Sequence, residues 1–124
     1  MEILRIDKTD RTPAIYCNPD EGSFEMSGRS IPENAISFYK NLFDWLDQYV
    51  TQPQKETQVV FNLEYFNTSS SKCILDILRK LEKIAESGSK VAVKWFFDDG
   101  DEDMEESGND FKSLINLDIE LVVK

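Results

Sequence analysis

The sequence predicts an α/β fold: a mixed β-sheet with helices mainly on one face. Three observations carry this. The runs TQVVFNLEYFN and KVAVKWFF alternate with period two. In each, one face is wholly apolar and the other holds polar groups, which suits a sheet covered on one side only. The run between them repeats apolar residues at helical spacing, so strand, helix and strand follow in the order of a right-handed parallel crossover. The chain has 124 residues, enough for one domain, 1–124, with a core of its own.

The elements follow in order. MEILRI is a short strand in which Leu4 and Ile6 alternate with Ile3 and Arg5. Ala14 to Cys17 and Ser23 to Ser27 are the arms of a hairpin, and Asn18-Pro19-Asp20-Glu21-Gly22 supplies its turn. Pro32 and Pro53 bracket a helix. Its stripe is Ile36, Tyr39, Leu42, Phe43, Leu46, Tyr49 and Val50, and Phe38 and Trp45 widen it. The wide stripe reads as a core face; the other reading gives Phe38 and Trp45 to a partner surface.

In the first long strand Val59, Phe61, Leu63 and Tyr65 share the apolar face. In the second, Val91, Val93, Trp95 and Phe97 do. The helix between them buries Ile74, Ile77, Leu78, Leu81, Ile84 and Ala85, and Gly88 closes it. An acidic loop over 98–106 leads to a short helix, then a last strand with Ile119, Leu121 and Val123 alternating. The order reads β-β-α-β-α-β-α-β.

Composition excludes several functions. Lys plus Arg number 14 against 24 Asp plus Glu, a net charge of −10. No basic stripe offsets it, so nucleic acid and anionic membranes are not expected partners. No apolar run reaches the ~20 residues of a membrane span, and the N-terminus lacks a signal-peptide core. Cys17 and Cys73 have no metal-type spacing and read as buried thiols of a cytoplasmic protein. There is no histidine, which removes the usual general base and most zinc sites. The acidic run lacks the ligand alternation of a calcium loop, since Gly100 is misplaced for it. No catalytic residue, metal or cofactor is expected.

One joint stands out. In EYFNTSSSK, four hydroxyls (Thr68, Ser69, Ser70 and Ser71) sit where a strand ends and a helix begins. Asn67 or Thr68 is the natural N-cap, which leaves hydroxyls beyond any cap. The position is the carboxyl end of a parallel strand, where ligands approach α/β sheets. It is also a helix N-terminus with free N–H groups and partial positive charge. A phosphate there would add roughly −1.5 to −2 charges. Lys72, one turn beyond Thr68, is placed to help neutralise them. First-turn polarity, a phosphoacceptor and a small-anion or nucleotide site all fit these residues.

The element order resembles the STAS fold of anti-sigma-factor antagonists, whose acceptor stretch runs Asp-Ser-Ser/Thr-Gly. Here it is Asn67-Thr68-Ser69-Ser70, without the acidic residue or the Gly. TPAIYCNPDEGSFEMSGRSIPENAISFY, LEYFNTSSSKCILDIL and the DEDMEESGNDF segment together resemble the SiaC family of bacterial regulatory phosphoproteins over nearly the whole chain. That resemblance implies a non-enzymatic partner switch. It makes Thr68 the acceptor of a dedicated protein kinase with a histidine-kinase-like ATP domain, and a PP2C-type phosphatase the eraser. It makes the unphosphorylated form the activator of a diguanylate cyclase in cyclic-di-GMP and biofilm control. The implied partner surface is Tyr65, Asn67, Thr68, Ser69, Ser70 and Ser71. An anti-sigma-factor antagonist would use the same surface on another partner.

Overall fold

The computed structural model describes residues 1–124. Six strands form one sheet in sequential order: β1 (Leu4–Ile6), β2 (Ala14–Asn18), β3 (Ser23–Ser30), β4 (Glu56–Phe66), β5 (Lys90–Phe97) and β6 (Asp118–Val123). Helices α1 (Ala35–Tyr49), α2 (Thr68–Glu86) and α3 (Glu102–Leu114) connect the last four strands. The order therefore has one more strand than β-β-α-β-α-β-α-β counts, since the short strand Leu4–Ile6 and both hairpin arms all precede α1. β1, β2 and β3 are antiparallel; β3 through β6 are parallel. A tight turn can close an antiparallel pair, whereas each parallel step needs a crossover, and the three helices supply them.

All three helices cover the same face. Tyr49 of α1 bonds Thr57 of β4 at 2.9 Å. Trp95 of β5 donates its indole N–H to the Met104 carbonyl of α3 at 3.0 Å. The α2 stripe of Ile74, Ile77, Leu78, Leu81 and Ile84 is fully buried. One contiguous core holds these groups with Phe24, Phe61 and Trp95, whose rings stand 5.4 to 5.7 Å apart in sequence across the sheet. Lys80 of α2 pairs with Asp47 of α1 at 2.6 Å; exposed pairs of this kind contribute roughly 0–1 kcal/mol.

Three further readings of the sequence change. Tyr65 leaves the apolar face. The β3–β4 register slips after Gly28, which stands opposite Leu63, so that Arg29 stands opposite Tyr65. Glu64 is the extra residue, and a bulge of this kind reverses the alternation beyond it. Tyr65 is 53% exposed, and Phe66 turns inward against Trp95 and Phe111.

Ile36 is 76% exposed, while Ala35 beside it is buried. The capping geometry sets this phase: Asn34 accepts the Ser37 N–H at 3.1 Å, so the helix starts after Pro32. Trp45 is buried, stacked on Tyr49, with its indole N–H on the Glu2 carbonyl at 2.9 Å. Phe38 is half-buried and packs edge-on to Tyr39. Both belong to the core side.

The acidic run is a loop only to Gly100. Asp101 caps α3 by accepting the Met104 N–H at 3.1 Å, and Glu102, Asp103 and Glu105 fill its first turn. Carboxylates there complement the helix dipole, so the charges that read as a solvated loop instead open a helix.

Candidate functional site

The hydroxyl cluster lies at the carboxyl end of β4, where α2 begins. Asn67 is the N-cap: its side chain accepts the Ser70 N–H at 2.8 Å. Its carbonyl accepts the Ser71 N–H at 2.9 Å. The N–H groups of Thr68 and Ser69 donate to no group of the protein. They form a small positive edge at the helix tip.

The four hydroxyls are not equivalent. Thr68 and Ser69 are exposed, Ser71 is half-buried, and Ser70 is fully buried. Ser70 Oγ donates to the Ser30 carbonyl at 2.9 Å and accepts from Ser30 Oγ at 2.7 Å. The phase of α2 explains this. Ser70 stands four residues before Ile74 and seven before Ile77, on the buried stripe. That spacing was visible in the sequence and separates Ser70 from its neighbours. Of the residues assigned to a partner surface, Tyr65, Thr68 and Ser69 meet solvent freely, Asn67 and Ser71 partly, and Ser70 not at all.

Two grooves flank the tip. One, about 420 Å³, runs between α1 and α2 and is lined by Glu33, Ile36, Ser69, Lys72, Cys73 and Asp76 among others. The second, about 290 Å³, lies between α2 and α3, with Ser71, Lys72, Leu75, Asp110, Phe111 and Leu114. Lys72 borders both, is exposed, and has no carboxylate within salt-bridge distance. Wider depressions of about 530 and 510 Å³ around Met1 and Gln48 lie at the far end of α1. They hold no convergent reactive groups, so the tip remains the better candidate. Burial, and next the Asp76 carboxylate, raise the pKa of the Cys73 thiol, so Cys73 is a poor nucleophile there.

Two exposed residues near the tip escaped the sequence reading. Ile36 projects from the first turn of α1 into the α1–α2 groove. Arg29 stands opposite Tyr65 across the β3–β4 ladder, and both are exposed. The bulge that brings Tyr65 to that face leaves no signal in a single strand. No three His, Cys, Asp or Glu side chains converge to hold a metal ion, and no helix is long and apolar enough to cross a membrane.

The family model described as SiaC family regulatory phosphoprotein matches residues 6–124. The chain belongs to the SiaC family. An uncharacterised protein of Pseudomonas aeruginosa strain UCBPP-PA14 is 33% identical over 112 residues, covering 90% of this chain and 89% of that one. SiaC of Pseudomonas aeruginosa superposes with a TM-score of 0.91 at 29% identity over 100% of both chains. A second similar structure is the crystal structure of the diguanylate cyclase SiaD in complex with its activator SiaC, from the same organism. The TM-score there is 0.91 at 30% identity, covering 98% of this chain and 99% of that one. The SiaC fold is thus the fold of this chain, and the family is regulatory.

Proposed function

We propose that this protein is a partner switch whose acceptor is Thr68. The observation that carries the reading is the presentation of Thr68. It is an exposed hydroxyl in the first turn of α2, beside two unpartnered N–H groups and the unpaired Lys72. A dedicated protein kinase supplies the phosphoryl group from ATP. Thr68 Oγ1 bonds to the γ-phosphorus, the bond to the bridging oxygen breaks, ADP leaves, and the hydroxyl proton passes to base or solvent. A PP2C-type phosphatase reverses the state by adding water to phosphorus and releasing phosphate.

The helix tip tolerates the product. Phosphate gains from the free N–H groups and the dipole, so modification need not unfold α2. What changes is the surface. The unmodified tip, with Tyr65, Ser69 and the grooves beside it, docks on a diguanylate cyclase and activates it. A dianion at its centre opposes docking by charge and by the cost of desolvating the phosphate. The solved SiaD–SiaC complex supports a cyclase as the effector class.

The test is a binding titration of a diguanylate cyclase against wild type, Thr68→Ala and stoichiometrically phosphorylated protein. Wild type and Thr68→Ala are expected to bind and stimulate the cyclase, and phosphorylated protein to bind at least tenfold more weakly. Equal affinity of the phosphorylated and unmodified forms would refute the switch.

A further inference from the structure

Beneath the exposed tip, three buried hydroxyls form a closed chain. Ser30, Tyr39 and Ser70 are each 0% exposed. Ser70 spends its proton on the Ser30 carbonyl at 2.9 Å. Ser30 spends its proton on Ser70 Oγ at 2.7 Å. Tyr39 OH lies 2.6 Å from Ser30 Oγ, and since the Ser30 proton is already committed, Tyr39 is the donor. Burial pushes the Tyr39 hydroxyl up to about 12, so it keeps that proton at neutral pH.

The Ser30 carbonyl accepts a second bond, from the Asn67 N–H at 3.0 Å. Asn67 and Ser70 are therefore tied to one peptide oxygen of β3. Between these two anchors only Thr68 and Ser69 remain, and both point outward. The tip is a two-residue arch held at both feet. Tyr39 extends the clamp to α1, so three elements fix the arch.

We propose that Ser30, Tyr39 and Ser70 are positioning residues for phosphorylation: they hold the arch so that Thr68 rather than Ser69 enters the kinase. The inference rests on the reading of Thr68 as the acceptor. Phosphoryl transfer depends on in-line placement of the attacking oxygen, and small displacements cost rate steeply. Two adjacent exposed hydroxyls on a loose arch would compete; on a fixed one they are separated by about 100° around the helix axis.

The molecule contains its own control. A second buried hydroxyl chain joins Tyr49, Thr57 and Ser89 at 2.9 and 2.7 Å. It uses the same chemistry on the same helix, at the opposite end of α1 and β4.

The experiment phosphorylates full-length Ser70→Ala, Tyr39→Phe and Tyr49→Phe proteins with the cognate kinase and ATP. It records kcat/KM, the Thr68-to-Ser69 ratio by mass spectrometry, and the melting temperature. Amide exchange over residues 67–71 is measured on the same proteins without kinase. Thr68→Ala is run first; labelling equal to wild type removes the acceptor reading and with it this proposal, while exchange still reports whether the clamp exists.

With Thr68 established, Ser70→Ala and Tyr39→Phe are expected to lower kcat/KM at least fivefold, to place label on Ser69 and to speed exchange at the arch. Tyr49→Phe is expected to lose similar stability and to change neither the ratio nor the exchange. An unchanged Thr68-to-Ser69 ratio in both clamp variants overturns the proposal. So does an equal change in Tyr49→Phe, because stability alone would then explain it. Tyr39→Phe serves if Ser70→Ala does not fold.

Discussion

The side chain of Asn67 accepts the backbone N–H of Ser70 at 2.8 Å, closing the first turn of α2. No other side chain caps the N-terminus of this helix. Asn67→Ala is expected to lower stability by about 1 kcal/mol in urea unfolding, the usual value of such a cap. Asn67→Asp keeps the acceptor and should stay within about 0.5 kcal/mol of wild type. A neutral Asn67→Ala would mean that the tip is held by the Ser30 contacts alone.

Gly108 lies on Trp95. A Cβ added there would stand 2.5 Å from indole Cδ1 and 2.8 Å from Nε1. Two effects of Gly108→Ala oppose one another. Helix propensity favours Ala by about 1 kcal/mol, while forcing a methyl into a packed core costs about 1–3 kcal/mol or more. Trp95 is pinned by its bond to the Met104 carbonyl and by Phe61, Phe66 and Phe111, so the clash dominates. A net loss of about 1–2 kcal/mol is expected, with altered Trp fluorescence. A more stable Gly108→Ala protein would show that α3 shifts freely.

Ile36 and Leu42 occupy the same helix in opposite environments. Ile36 is 76% exposed and Leu42 is fully buried. Ile36→Ser should change stability by no more than about 0.5 kcal/mol; Leu42→Ala should cost about 2–5 kcal/mol. Denaturant melts of the two variants check this. A loss above about 1 kcal/mol in Ile36→Ser would place Ile36 back on the core stripe.

Alkaline pH should unfold the protein through two buried acids. Burial pushes the Cys17 thiol and the Tyr39 hydroxyl each up to about 12, from ordinary values of 9.0 and 10.0. Both groups are neutral when protonated, so the folded state holds the proton more tightly than the unfolded chain. Their contribution to stability is complete below pH 9, falls as the unfolded forms ionise, and is lost by about pH 12. Stability measured from pH 7 to 12 should be flat and then decline, with a shallower decline in Cys17→Ala. An identical slope in that variant would exclude Cys17 as a source.

The architecture was legible because its signals are periodic. Val59 and Val91 begin apolar faces at period two, and the α2 stripe from Ile74 to Ile84 keeps helical phase; both are buried as expected. Other features were hidden by cross-strand or cap geometry. The bulge that turns Tyr65 outward is a property of two strands, and one strand's alternation does not reveal it. The first turn of α1 exposes Ile36 because Asn34 sets where the helix begins. The acidic run misled because charge was read without position: Asp101 and its neighbours cap and open α3. At the site, the cap and the cluster were evident in the sequence. The division between outward Thr68 and inward Ser70 needed the stripe's phase carried back one turn.

The most direct measurement is phosphosite mapping after incubation with the cognate kinase and ATP, on wild type and Thr68→Ala. Wild type should carry one phosphate, on Thr68, and Thr68→Ala should carry none above background. Thr68→Ala labelled to the same extent as wild type would contradict the assignment of Thr68 as the switch.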